Sequence, residues 1–421
     1  MREMLKPSAG TEKPRAVFYY GYIIVAAAFV LHLLAFSFYD SYGVFINPWI
    51  DEFGWMRAPI AGAYSLSFIF MGVFALVIGI MTDKYGPRLS LSICALCLGG
   101  GILLLSRIQS LRQLYLCYGV IIGIGMSGIW APLLSLISRW FVNKRGLVTG
   151  IVIAGGGLGA FVGPPLITKW VHVHSWRNTS LIVGSVTLVI MLLVAQLLKR
   201  DPSQIGQLPD GERDAPLLFP ESDGNDCLLG QAIKATPFWI IFAMFFCISF
   251  YTFSVLVHIM PYAIEFNIPR SSSAIILGSI SGMSIFGNIF IGRICDKIGP
   301  EKIFIICFIM MSVALFWLVL ADKVWMLYLF SLVFGFFHGG NATAQAPILA
   351  SHFGLKAHGA IFGLAMFGFT LGGATGPVLV GYIFDISGSY QPAFLLCGLV
   401  GMVGLALTIG LKAGGPWQVA N

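Results

Sequence analysis

Polar side chains embedded in apolar runs are where this chain could do chemistry, because neither lipid nor a packed helix offers them water. Asp40 leads them. Within LLAFSFYDSYGVF it is the only acid well inside an apolar segment, with Tyr39 beside it, Phe36 on its helical face and His32 two turns further in. An ionisable group at mid-membrane costs roughly 2.5–3.5 kcal/mol on insertion scales, so it is a functional candidate by default. Holding a proton or a cation is the chemistry it could do; structural pairing with a neighbouring tyrosine, or a place near the outer interface, is the alternative.

Three polar stripes accompany it: Tyr251, Ser254 and His258; His338, Asn341 and Gln345; Ser281, Ser284 and Asn288; Tyr118 adds a phenol. At helical spacing the members of a stripe share a face. In an apolar environment such a face meets protein or a water-filled cavity. Hydrogen bonding to a small solute is therefore one expectation, and each histidine is equally compatible with a satisfied packing role.

Enzyme signatures are missing: no GxSxG, no HExxH, no paired carboxylates and no phosphate-binding P-loop. The glycine run AGGGLGA (154–160) lies in mid-segment, where it cannot cradle a phosphate. Eight cysteines are scattered without metal-ligand spacing. No enzyme, resident cofactor, metal or nucleic-acid partner is expected.

These residues must be positioned by membrane helices. Only 10% of residues are charged and 57% are apolar, against about 25% charged in soluble domains. Twelve segments are long enough to span, at about 20 residues each: 19–46, 58–81, 89–106, 113–137, 147–170, 179–198, 237–262, 273–293, 302–320, 324–350, 359–384 and 391–411. The first follows a basic stretch and is too long for a cleaved signal. The Pro-, Gly- and acid-rich interval 199–236 reads as a linker. The expected fold is an all-α polytopic membrane protein, with an N-terminal six-helix bundle (1–198) and a C-terminal one (237–421).

The halves repeat. GIMTDKYGPR (79–88) and GRICDKIGPEK (292–302) share one register, 213 residues apart: Gly79 with Gly292, Asp83 with Asp296, Lys84 with Lys297, Gly86 with Gly299. The same offset relates Pro48 to Pro261, Gly146 to Gly359, and Gly163-Pro164 to Gly376-Pro377. One unbroken register indicates duplication of a six-helix unit. Asp83 closes the second segment, within reach of backbone donors or basic residues of the other half. Lys84, Arg88, Arg139, Lys144, Arg145 and Arg293 supply charge around the two loops. A charged gate is one reading, and a tight turn that only sets topology is the other. Glycine ladders in segments five and eleven suggest close-packed interfaces between the halves.

With the N-terminus inside, 18 of the 25 basic residues fall on the inner side. The positive-inside rule then places both termini and both DK loops in the cytoplasm. The net charge of +7 is thereby accounted for as topology.

Twelve helices in two halves with GxxxDK(x)G in duplicate resemble the major facilitator superfamily over nearly the whole chain. The stretches 42–66, 137–166 and RDPSQIGQLPDG resemble its monocarboxylate carrier and oxalate–formate exchanger branch. That resemblance implies a secondary transporter working by alternating access, a functional monomer in the plasma (inner) membrane, and a central pathway to which helices 1, 4, 7, 8 and 10 contribute. It implies transport of a small organic acid, with a proton as the coupling ion. Two positions depart from the branch. Relatives hold the substrate carboxylate with an arginine where this chain has Asn288, and many carry a basic residue where it has Asp40. An Asp without a nearby Arg repels an anion unless it is protonated. A substrate bound with its own proton, or a neutral, zwitterionic or cationic solute, suits these residues.

Overall fold

The computed structural model describes residues 18–211, 227–265 and 270–413. Among the described residues it is helical nearly throughout and contains no strand. The solvent dictates this, since in lipid each backbone N–H and C=O must be satisfied within its own segment.

Among the described residues eleven helices are long and apolar enough to cross a bilayer, and one of them is long enough to cross twice. Arg145–Leu197 is a run of 53 residues whose backbone turns at Ser175 (φ 69°, ψ 159°). Divided there, the chain has the twelve spans expected. They are α1 (Gly21–Phe53), α2 (Arg57–Tyr85), α3 (Pro87–Leu105), α4 (Leu111–Trp140), α5 (145–174) and α6 (176–197). The second set is α7 (Thr236–Glu265), α8 (Arg270–Ile298), α9 (Pro300–Val319), α10 (Val324–Phe353), α11 (His358–Ser387) and α12 (Gln391–Ala413).

Both DK loops use the same turn. Gly86 (φ 89°) and Gly299 (φ 90°) take a left-handed backbone, which glycine adopts without strain. Pro87 and Pro300 then open α3 and α9, their fixed φ suiting a first helical turn.

The glycine ladders prove two-sided. On α5, Gly155, Gly159 and Gly163 lie on the carbonyls of Phe29, Leu33 and Ser37 of α1. Their repeats on α11, Gly368, Gly372 and Gly376, lie on Phe242, Phe246 and Phe250 of α7. A methyl at Gly159 would sit 2.3 Å from the Leu33 oxygen, and one at Gly372 would sit 2.2 Å from the Phe246 oxygen. These rungs therefore pack each half internally, contrary to the expectation that the ladders lie between halves. Other glycines of the same helices do join the halves: Gly146 and Gly150 set α5 on α8, and Gly359 and Gly363 set α11 on α2. In lipid no hydrophobic effect draws helices together, so this close backbone approach is the adhesive.

Two helices are broken near mid-length. α1 stops at Tyr39 and resumes at Tyr42. α4 widens into π-type turns over Tyr115–Ile122, a feature frequent at functional sites. It leaves helical geometry at Trp130 (φ −97°, ψ −87°), ahead of Pro132, which lacks the N–H needed to continue the ladder.

The described part of 199–236 is docked. Gln207 Oε1 accepts from the Tyr20 amide at 3.0 Å, and Asp210 Oδ2 accepts from the amides of Val142 and Asn143 at 2.9 and 2.8 Å. On its far side the Cys227 amide donates to the Phe353 carbonyl at 3.3 Å.

Candidate functional site

A cavity of about 400 Å³ lies between the halves, walled by α1, α2, α4, α5, α7, α8, α10 and α11. Most of the wall is aromatic or aliphatic, with Phe36, Tyr64, Phe68, Trp130, Phe253 and Phe369 prominent. Polar groups are fewer and come from both halves: Tyr39, Asp40 and Ser127 from the N-terminal half, and Ser281, Ser284, Asn288, His338 and Thr370 from the C-terminal half. Among the described residues no lysine or arginine lines the cavity.

Asp40 ends the first arm of α1, its backbone N–H bonded to the Phe36 carbonyl at 3.1 Å. The break there faces its side chain into the cavity, where the carboxylate has no hydrogen-bond or ion-pair partner among the described residues. Pairing with a tyrosine is not what the structure adopts: Tyr39 bonds Ser67 Oγ at 2.9 Å instead. Across the cavity, Asn288 Oδ1 and His338 Nδ1 are buried and unpartnered. Unmade bonds of this kind are costly, and a solute can make them.

The polar stripes do not all reach this cavity. Tyr118 lies behind the wall, donating to the Tyr39 carbonyl at 3.1 Å and ringed by Tyr39, Tyr42 and Tyr64. Tyr251, Ser254 and His258 face away. Tyr251 receives a bond from Asn341 Nδ2 at 3.1 Å, Ser254 donates to the Phe250 carbonyl at 2.7 Å, and His258 Nε2 is 2.9 Å from the Pro377 carbonyl oxygen. The α7 side chains lining the cavity are Phe253 and Leu256, so this helix turns an apolar face to it and its polar face to its own bundle. Asn341 is likewise interior. Gln345 lies beneath the cavity wall and accepts from Trp130 Nε1 at 3.0 Å across the two halves. Periodicity shows which residues share a face but not which neighbour that face meets. Trp130 went unnoticed because the break in α4 destroys the spacing that would have aimed it; the local signal was GIWAP, an aromatic before a helix-interrupting proline.

At the DK-loop end the halves are shut. Asp296 Oδ1 and Oδ2 accept from the amides of Gly146 and Leu147 at 2.5 and 2.9 Å. Asp83 Oδ2 accepts from the amide of Ala360 at 2.9 Å, the equivalent bond in the repeat. Each carboxylate thus caps the first turn of α5 or α11 in the other half, and neither helix has a side-chain cap of its own. A carboxylate there also meets the positive end of the helix dipole. Gly79 lies on Gly359 and Gly292 on Gly146, since any side chain would hold the caps apart. Arg139 completes the closure, donating to Asp83 at 3.1 Å and to the Leu355 carbonyl at 2.5 Å.

The remaining charges of the two loops play other parts. Arg145 bonds the Ser138 carbonyl at 3.0 Å and Arg88 the Leu198 carbonyl at 2.8 Å, each within its own half. Lys84, Lys144, Arg293 and Lys297 are exposed. Backbone amides and glycines, more than cations, close this end.

Duplicated bundles closed at one end over a central cavity are the architecture of a membrane transporter. The chain belongs to the Major Facilitator Superfamily, whose model matches residues 25–287 and again 248–419. Among curated relatives it is similar to rat monocarboxylate transporter 12 (24% identical, covering 90% of this chain and 82% of that one) and human monocarboxylate transporter 7 (23%, covering 93% and 86%). It is also similar to the agnestins efflux protein AgnL12 of Paecilomyces divaricatus (24%, covering 95% and 88%). Among solved structures, the human organic anion transporter MFSD10 superposes with a TM-score of 0.72 at 12% identity, covering 92% of this chain and 99% of that one. The transporter FucP in its outward conformation gives 0.72 at 14%, covering 93% and 99%.

Proposed function

We propose that the protein is a secondary transporter that carries a small monocarboxylate-type organic acid together with a proton, by alternating access of the central cavity. The observation behind this reading is a cavity that, among the described residues, has one carboxylate, Asp40, and no lysine or arginine in its lining. Two carboxylates side by side repel unless they share a proton. An organic acid therefore binds beside Asp40 as an acid–carboxylate pair, and coupling to a proton follows from the pairing. The apolar wall accepts the body of the solute, while Asn288 and His338 offer the hydrogen bonds they otherwise lack. Relatives named monocarboxylate transporters support the substrate class.

In this reading the bundles 1–198 and 237–421 rock about the interface of α2 and α5 with α11 and α8, and 199–236 tethers them. The closed DK-loop end is cytoplasmic by the positive-inside rule, both termini lie on that side, and the chain works as a monomer in the plasma membrane. A second reading rests on the same carboxylate: an unpaired Asp40 among aromatic faces also suits a cationic or zwitterionic amphipathic solute.

Uptake of radiolabelled lactate, pyruvate, oxalate and formate into proteoliposomes, with and without an inward proton gradient, separates the two. The organic-acid reading expects gradient-driven accumulation that Asp40→Asn abolishes. No movement of any carboxylate, with uptake of an aromatic amine that Asp40→Asn abolishes, transfers the assignment to the second reading.

A further inference from the structure

We propose that a second pocket, at the DK-loop end of the N-terminal half, binds the phosphate group of an anionic phospholipid. It is a hollow of about 480 Å³ between the α2–α3 turn and the chain leaving α6. Lys84, Arg88, Lys199 and Arg200 line it, with Gln204 and no acid. Like charges gathered around one hollow repel each other, and an anion between them adds an attractive pair with each cation that offsets the repulsion. Asp201, next to Arg200 in the chain, lies outside the lining and is shared between Arg200 at 3.4 Å and Arg139 at 3.5 Å. Lys84, Arg88 and Lys199 have no acidic partner among the described residues.

The wall of this pocket is built. Three consecutive carbonyls at the end of α6 are each held by a side chain of a different helix or its flank. Tyr20 Oη donates to Leu197 at 2.9 Å, Arg88 Nε to Leu198 at 2.8 Å, and Trp140 Nε1 to Lys199 at 2.8 Å. The Lys199 ammonium sits 4.5 Å over the Tyr20 ring, and that of Lys84 lies 5.1 Å over Tyr85. Gly86 and Pro87, which open α3 without a side-chain cap, form another side and add the positive end of a 19-residue helix.

Location favours a lipid over a free ion. The lining residues fall at or just beyond the ends of α2, α3 and α6, which is the level of the headgroups. Along α3 and α6, Leu89, Leu193 and Leu197 are exposed by 49%, 65% and 44%, a surface for acyl chains. A soluble phosphate would use the cations alone, and a phospholipid uses both surfaces. The inference concerns the N-terminal half and does not depend on what the central cavity carries.

Native mass spectrometry of the purified protein, incubated with phosphatidylglycerol or phosphatidylcholine, tests it in wild type and the Lys84→Gln/Lys199→Gln variant. Both ammonium groups touch only aromatic rings, so the Arg88–Leu198 bond survives the change; Arg200→Gln is the second variant should the first not fold. The expected result is preferential retention of phosphatidylglycerol by the wild type, weakened roughly 30-fold when two lysines are removed. Inorganic phosphate is the competing probe and should leave the lipid adduct in place. Displacement by inorganic phosphate would overturn the lipid assignment in favour of a soluble anion. Equal binding of both lipids by wild type and variant would overturn the site altogether.

Discussion

Asp296 Oδ1 accepts a hydrogen bond from the backbone amide of Gly146 at 2.5 Å, 150 residues away in the chain and in the other half of the molecule. The repeat makes the bond that matches Leu147 to Asp296, from the amide of Ala360 to Asp83. An N-terminal cap is worth about 0.5–2 kcal/mol, so the two together hold the closed end with a few kcal/mol at most. That is a strength a transport cycle can break and remake.

Removing one cap should shift the resting population toward opening at the DK loops. Cys295 is buried at this seam, where a methyl on Gly146 would meet its Cβ at 2.9 Å. In a background whose other cysteines are replaced, Asp296→Ala should raise the alkylation rate of Cys295 about tenfold, corresponding to about 1.4 kcal/mol. An unchanged rate would mean that the caps do not hold the seam.

Gly150 lies so close to α8 that a methyl there would be 2.0 Å from the Asn288 carbonyl oxygen. Gly150→Ala must therefore part α5 from α8 beside a residue of the cavity. Transport should fall by at least tenfold while the protein remains folded, whereas Gly43→Ala, which has open space around it, should be neutral. Proteoliposome flux alongside thermal unfolding in detergent distinguishes the two.

Trp130 and Gln345 are bonded across the halves directly below the cavity. A solute pressing on Trp130 acts on the same side chain that bridges toward the closed end. A double-mutant cycle of Trp130→Phe and Gln345→Leu, read by Cys295 alkylation, should give a coupling of about 1 kcal/mol. Additive effects would show that the bond joins nothing to the seam.

Ser175 holds a positive φ of 69° where α5 turns into α6, and its hydroxyl accepts only a long 3.5 Å bond from Asn178. Relief of backbone strain outweighs so weak a cap, and Ser175→Gly should stabilise the protein by about 1 kcal/mol. A fall in thermal midpoint would show that the cap dominates.

The duplication, the twelve spans and the singling out of Asp40 in an apolar run and Asp83 at the seam were legible from residue type and register alone. Each depends on a rule acting along the chain: hydropathy over a span, a fixed offset, or a charge in an apolar run. The facing of α7 was not legible, because Tyr251, Ser254 and His258 satisfy themselves within their own bundle, where Met311, Asn341, Pro377 and Tyr390 wait for them. Nor was Trp130, whose direction is set by irregular backbone. The tail 199–211 looked like free chain from composition, yet Gln207 and Asp210 tie it to the N-terminal half.

One consequence of the repeat lies in where it fails. The partner of Asp40 in the 213-residue register is Phe253, and both line the cavity. At this pair of positions, halves that match along their seams present a carboxylate and a phenyl ring to the space between them. In the proposed binding mode the acid group of a solute lies toward Asp40 and part of its body against Phe253. A solute should accordingly be bound in one head-to-tail sense in preference to the other, a polarity that the near-symmetric scaffold alone does not impose.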